Sequence, residues 1–283
     1  MRGHIRQRSE GTWSVVLDLG RDSSGKRRQK WQTVRGTKRD AQRELNSLLN
    51  ALQTGAYVEP TKLTVGEYLR RWLDDYAKTN VSPKTYERYD EIARLHLIPK
   101  LGHIVLTKLQ PLHIQTMHSE ALQHGRRDRV GGLSAQTVVH HHRVLRRALQ
   151  QAIRWLLLVR NPADAVDPPR PQHREIRTLT NAESAKLMAV SASSRLRVPI
   201  LLALATGMRR GEILAIRWKD VDLVAGTAAV RQSIEETKSG IAFKQPKTQK
   251  SRRSLPLPPF ATEALRLHRK ARSEERRVGK ECA

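Results

Sequence analysis

The chain has 283 residues, with 53 Lys and Arg against 27 Asp and Glu, a formal net charge of +26 and a pI near 11.1. That length suits two or three small domains. No apolar run approaches the roughly 18–20 residues that span a bilayer, the amino terminus leads into polar sequence instead of a signal-peptide core, and one cysteine, Cys282, excludes both a disulfide framework and a Cys-based zinc module. The expectation is a cytoplasmic protein with no membrane partner.

The basic excess recurs in every part of the chain, as in a protein that neutralises phosphates along its length. Composition alone leaves double-stranded DNA and an RNA-coating role both open.

In chain order, Gly11 to Gly20 is rich in β-branched and aromatic residues, Asp22-Ser23-Ser24-Gly25 is turn chemistry, and Arg28 to Val34 reads as the returning strand. Thr37 can cap a helix whose inner stripe is Ala41, Leu45, Leu48 and Leu49. The expected unit, residues 1–55, is a three-stranded sheet plus one helix, with Trp13 and Trp31 in its core and the intervening Arg and Lys facing outward. A sheet face of this kind fits the major groove of DNA.

From Thr64 to Pro162 the pattern is helical. Thr64 caps a first helix with Val65, Tyr68, Leu69, Trp72 and Leu73 at helical spacing, and Ser82-Pro83 opens a second. Leu109-Gln110-Pro111 opens a third. A fourth follows Ser134, with an inner face of Val138, Leu145, Leu149, Ala152 and Leu156. Four helices without a strand signal predict a compact bundle over residues 64–162. In the run His140-His141-His142, neighbouring side chains point about 100° apart on a helix and cannot converge on one ion, so no metal is expected and the run reads as a polar face toward DNA.

A Pro-rich connector, Asp167 to Pro171, precedes a mixed α and β segment over 175–271. Thr180 and Glu183 fit a capping box. The apolar helix Val198 to Ala205 is expected to be buried on all sides. Next come Thr206-Gly207-Met208-Arg209-Arg210-Gly211-Glu212, alternating residues through Val230, and a Lys-rich hairpin from Thr237 to Arg253. The fold class is therefore multidomain and mainly α with small β elements.

Ala205 to Leu214 with Trp218-Lys219-Asp220-Val221-Asp222, and downstream Pro246-Lys247-Thr248-Gln249-Lys250-Ser251-Arg252-Arg253, resemble the first catalytic box and the catalytic-lysine hairpin of the tyrosine recombinase (phage integrase) family. The bundle is similar to that family's SAM-like core-binding domain, and residues 1–55 to its arm-type DNA-binding module. The resemblance thus covers nearly the whole chain, with 175–271 a partial catalytic domain. It implies a DNA breaking–rejoining enzyme that integrates or recombines DNA at specific sites. In that mechanism a tyrosine attacks the scissile phosphate, forms a 3′-phosphotyrosyl link and needs no cofactor, inside a homotetramer on DNA.

The residues agree with that chemistry. A planar guanidinium offers fixed bidentate donors to non-bridging phosphate oxygens, which suits Arg209. Glu212, one turn on, can pin it, and Lys247 can donate a proton to the departing 5′-oxygen. Thr85, Arg88, Arg143 and Arg147 are candidate backbone contacts of the bundle.

The family places a His/Lys-x-x-Arg box and a tyrosine after the lysine hairpin, and beyond Lys247 this chain has one histidine and no tyrosine. His268 lacks an Arg three residues on, and the tyrosines, Tyr57, Tyr68, Tyr76, Tyr86 and Tyr89, all precede Arg209. No nucleophile is present, so the chain is expected to bind DNA without cleaving it. Residues 272–283 resemble the in-frame translation of a sequencing adapter, which makes them a non-native tail on a C-terminally truncated recombinase. The alternative is a naturally truncated, non-catalytic DNA-binding protein that occupies attachment sites.

Overall fold

A computed structural model of the chain describes residues 3–21, 25–53, 61–126, 130–172, 175–245 and 252–281, with side chains described as far as residue 273. Lys247, the turn Asp22 to Ser24, the linker from Gly55 to Pro60 and Cys282 lie outside these residues. Two compact units emerge: Met1–Asn80 with Tyr89–Gln172, and Val81–Arg88 with His173–Ala283.

In the first unit, β1 (Gly3–Ser9), β2 (Thr12–Arg21) and β3 (Arg27–Arg35) form an antiparallel sheet in the order β1-β2-β3. Helix α1 (Lys38–Gln53) covers one face. Thr37 and Asp40 cap each other's backbone N–H groups at its start. Val15, Leu17, Ala41 and Leu45 form the core, with Ile5, Trp13 and Val34 packed against it.

Strand pairing sends alternate residues to the other face. Val16 stands opposite Trp31 and His4, and Ser14 opposite Thr33 and Arg6. Trp13 is therefore a core residue, whereas Trp31, expected in the core, lies on the uncovered face and is 51% exposed. Positions 13 and 16 of β2 are three steps apart, an odd count in a period of two, which is why their partners, Val34 and Trp31, face opposite ways.

The bundle has the four expected rods. The first is α2 (Val65–Trp72), continued through a π-turn (Leu73–Ala77) into α3 (Lys78–Asn80). The second is α4 (Pro83–Ile92), a π-turn (Ala93–Leu97) and α5 (Ile98–Leu101). The others are α6 (Pro111–His124) and α7 (Ala135–Arg154). Thr64 and Glu67 form a capping box on α2, and the Ser134 side chain caps α7. Tyr68, Leu69, Trp72, Ile92, Leu97, Leu145 and Leu149 fill the centre. The Tyr68 hydroxyl donates to the Ala148 carbonyl at 2.5 Å.

Two features depart from the sequence pattern. His141 and His142 are buried, with His141 stacked on His96 and His142 set edge-on to His118. Only His140 of the run is exposed. The inward stripe of α7 passes through 138, 141, 142, 145 and 149, so two of three consecutive histidines fall on it. Leu156, expected on that stripe, is 78% exposed, because α7 ends at Arg154 and Leu156 adopts φ 58°. Its N–H reaches Ile153 O, and the N–H of Leu157 reaches Ala152 O, the paired closure that usually places glycine at the left-handed position.

In the second unit, α8 (Asn181–Val190) starts on the Thr180–Glu183 capping box. It is followed by α9 (Arg197–Thr206), α10 (Arg210–Leu214), β4 (Val221–Asp222), β5 (Thr227–Val230), β6 (Ser233–Thr237), β7 (Gly240–Lys244), β8 (Arg253–Pro256) and α11 (Pro259–Glu281). Leu202, Met208, Ile213, Ala228, Val230, Leu257 and Leu265 form its core.

The lysine-rich segment is not one hairpin. β6 pairs with β7, whereas β8 joins β4 and β5 in a separate sheet of order β4-β5-β8. Helix α9 buries Leu201 and Leu202 but leaves Leu204 45% exposed, since the described neighbours cover one side of it. Helix α11 continues past Ala271 through Glu281; the Glu- and Arg-rich composition there favours helix even without an apolar period.

Two stability outcomes are expected. Burial, together with the nearby His142, pulls His118 down to about 4. The unfolded chain therefore takes up a proton near pH 6.5 that the folded bundle refuses, and stability is lost as pH falls from 6.5 toward 4, by about 3 kcal/mol. Urea unfolding at a series of pH values should show His118→Leu with a flatter profile across that window. Leu156→Gly removes a left-handed leucine and should raise the unfolding free energy by roughly 0.5–1 kcal/mol, read as a higher Tm.

Candidate functional site

The site is built where α9 turns into α10. Gly207 ends α9 in the left-handed conformation, φ 63°, a position that costs a side-chain-bearing residue about 1 kcal/mol or more. The Thr206 hydroxyl donates to Leu202 O and accepts the N–H of Met208, which fixes the turn. Met208 anchors in the core, and the next residue, Arg209, stands in extended backbone immediately before α10. Gly211 lets α10 lie directly on β6: a Cβ there would come within 2.6 Å of Ser233 Oγ and 2.7 Å of Ile234 O.

Glu212 is the centre of the arrangement, its side chain 6% exposed. Its Oε1 accepts Nη1 of Arg209 at 3.0 Å and Nη1 of Arg253 at 3.3 Å. Its Oε2 accepts the backbone N–H of Arg209 at 3.1 Å and Nη2 of Arg253 at 2.8 Å. Burial alone would push the Glu212 carboxyl up, but the Arg253 side chain and the Arg209 backbone and side chain bring it down to about 2. Arg209 remains 76% exposed, with most of its guanidinium edge turned to solvent. The sequence-predicted pair, Arg209 and Glu212, is thus brought together.

Arg253 was not singled out by the sequence, where it is one of many cations in a basic run. Its position two residues before Leu255-Pro256 at a strand start was the available signal. Lys247 lies outside the described residues.

A second buried carboxylate stands close by. Asp220, its side chain 4% exposed, accepts Nε and Nη2 of Arg217 and also pairs with Arg231 at 3.4 Å. Hydrogen bonding to Arg217 lowers its carboxyl pKa. Arg217, Arg231, Lys244, Arg252 and Arg253 line one open concavity of about 610 Å³. Lys244 is paired with Glu235.

In the bundle, Arg143 and Arg147 lie together with Arg146, Arg154, Tyr76 and Gln150 around a second basic concavity. Nη1 of Arg147 donates to the Tyr89 hydroxyl at 2.9 Å. Thr85 and Arg88 lie in the first turns of α4; the Thr85 hydroxyl pairs with Ser82 Oγ at 2.8 Å, and Arg88 is exposed. By the division of units they fall with the second unit, apart from Arg143 and Arg147.

Residues 64–122 match the phage integrase N-terminal SAM-like domain, and residues 172–279 match the phage integrase family. The chain belongs to the phage integrase family of tyrosine recombinases, which cleave and rejoin DNA. Among its relatives are a tyrosine recombinase XerC-like protein of Caldanaerobacter subterraneus, 26% identical over 93% of this chain and 70% of the relative. Another is an integrase of Streptomyces ambofaciens, 29% identical over 90% of this chain and 64% of the relative.

The fold is shared with a Tn1549 transposon integrase solved in complex with transposon right end DNA. Its TM-score is 0.62 at 21% identity, covering 74% of this chain and 65% of that one. A lambda integrase dimer bound to a core site aligns with a TM-score of 0.50 at 21% identity, covering 85% of this chain and 65% of that one. This phage integrase family chain therefore spans about two thirds of the length of such relatives.

Glu212→Gln removes the charge that two guanidiniums enclose. Because the Glu212 carboxyl is held near 2 in the folded chain against an ordinary 4.5, its contribution is present above about pH 4.5 and lost as pH falls toward 2. The variant should be destabilised by about 2–3 kcal/mol at pH 7, with a shallower acid limb in denaturant titrations.

Proposed function

We propose that this integrase chain binds duplex DNA through three basic surfaces and supplies the phosphate-clamping part of a site-specific recombination reaction. The observation that carries the proposal is the arrangement at Glu212, a buried carboxylate that holds an exposed guanidinium in one direction. Arg209 is the clamp on the non-bridging oxygens of the scissile phosphate, where donors already in place stabilise charge as it develops. Lys247 is the general acid for the departing 5′-oxygen. The nucleophile of the reaction is a tyrosine, and the sequence has none after Arg209, so the chain by itself binds without cleaving. The complete recombinase works as a homotetramer on DNA, in the cytoplasm of a bacterium that carries the element.

The bundle concavity around Arg143 and Arg147 contacts the DNA backbone, and Thr85 and Arg88 are separate candidate backbone contacts. Residues 1–55 act as an arm-type DNA-binding module. The support is the uncovered sheet face, where Trp31, Thr33, Arg35, His4 and Arg6 are exposed on a width of strands that the major groove accepts. A nonspecific RNA coat predicts no preference for duplex repeats and leaves the buried scaffold behind Arg209 unexplained.

The test uses nicked suicide duplexes that carry the element's own attachment site. Gel shifts should appear and weaken steeply with salt, with log affinity falling linearly against log salt concentration. No covalent protein–DNA band should form; such a band from this chain overturns the claim that it lacks a nucleophile. In the same assay Trp31→Ala should weaken arm-site binding by about 1–2 kcal/mol while leaving core-site binding unchanged.

A further inference from the structure

Among the described residues the Glu212 carboxylate has four donors, two per oxygen, from Arg209 and Arg253. A carboxylate offers about four lone-pair directions, so this one is fully used and cannot turn without breaking a bond. The two arginines are not equivalent. Arg209 is 76% exposed and gives Glu212 one side-chain nitrogen, whereas Arg253 is 30% exposed and grips both oxygens as a fork.

Arg253 is itself placed by β8, where it pairs with Val230 of β5 in the core-lining sheet. The charges decide what that grip does. Two guanidiniums around one carboxylate leave the cluster with one positive charge in excess. With Arg253 removed, Arg209 and Glu212 would form a neutral pair, and the open lone pairs of Glu212 would draw the Arg209 guanidinium inward.

We infer that Arg253 is a positioning residue for the phosphate clamp: by occupying both oxygens of Glu212 it keeps the guanidinium of Arg209 facing outward and its charge available to a phosphate. The inference rests on the reading of Arg209 as the clamp. The opposing charges of the cluster act across a few ångströms around a buried group, where Coulomb terms are far larger than at the open surface.

The experiment reads the Arg209 side-chain Nε–H resonance of the full 283-residue chain by NMR, assigned from its loss in Arg209→Lys, during titration with inorganic phosphate. A parallel carboxyl ¹³C titration follows Glu212. Wild type should show a saturable phosphate-dependent shift at Arg209. Arg253→Gln should weaken that response about tenfold and move the Glu212 midpoint up from about 2. Arg253→Lys, which restores charge without the fork, should fall between the two.

If Arg253→Gln gives a dispersed spectrum and an unchanged phosphate response at Arg209, the positioning role is overturned while the clamp reading stands. If wild-type Arg209 itself does not respond to phosphate, the clamp reading fails and this inference fails with it. If Arg253→Gln does not fold, Arg253→Lys decides. A response several-fold weaker than wild type supports the inference, and a wild-type response overturns it.

Discussion

A carboxylate taken out of water must be met by cations or it will not stay ionised, and Glu212 is the place where this chain accepts that constraint. Much of the second unit is arranged around it. The left-handed turn at Gly207 brings the chain back toward the core, and Met208 fills a core position. Gly211 lets α10 rest on β6, and β8 delivers Arg253 from a separate sheet. The result is an outward guanidinium on a rigid base. Asp220 repeats the device with Arg217 and Arg231. Buried acids are thus used to set exposed bases in fixed directions, which reduces the rotamer entropy they would lose on meeting a phosphate.

The first unit solves a related problem with secondary structure in place of buried charge. The N-terminal sheet spends one face on α1 and leaves the other for polar and aromatic groups, with Val16 and Ser14 shielded beneath their cross-strand neighbours. The bundle spends the inner stripes of four rods on its core and gathers arginines on an outer face of α7. A chain of net charge +26 repels itself, and its lysines and arginines are directed to outer faces, away from the cores.

Elements with strong local signals were legible from the amino-acid order. Thr64, Ser134 and Thr180 mark helix starts by the hydroxyl that each offers to an orphan N–H, and each does so in the structure. The Thr-Gly turn and the Arg209–Glu212 spacing belong to the same group, because each depends on residues within a few positions of one another, and the three-stranded sheet with its helix follows from strand, turn and cap signals taken in chain order.

Where two distant segments had to meet, local order was silent. Trp31 faces outward because of its register with Val16, a relation between strands that composition does not encode. His141 and His142 turn inward because α7 must present that stripe to α6 and to the π-turn before α5, which bring His118 and His96 to them. Leu156 is exposed because α7 stops two residues earlier than its apolar pattern. Arg253 acquires its role only when β8 pairs with β5 instead of closing a hairpin with β7. The sequence by itself determined the excess of positive charge, the starts of the main helices and the closeness of Arg209 to Glu212, since charge, helix period and short-range spacing are properties of the chain. Which guanidinium holds Glu212, and which face each aromatic and imidazole ring occupies, only the tertiary structure decided, because those depend on pairings between residues far apart in the chain.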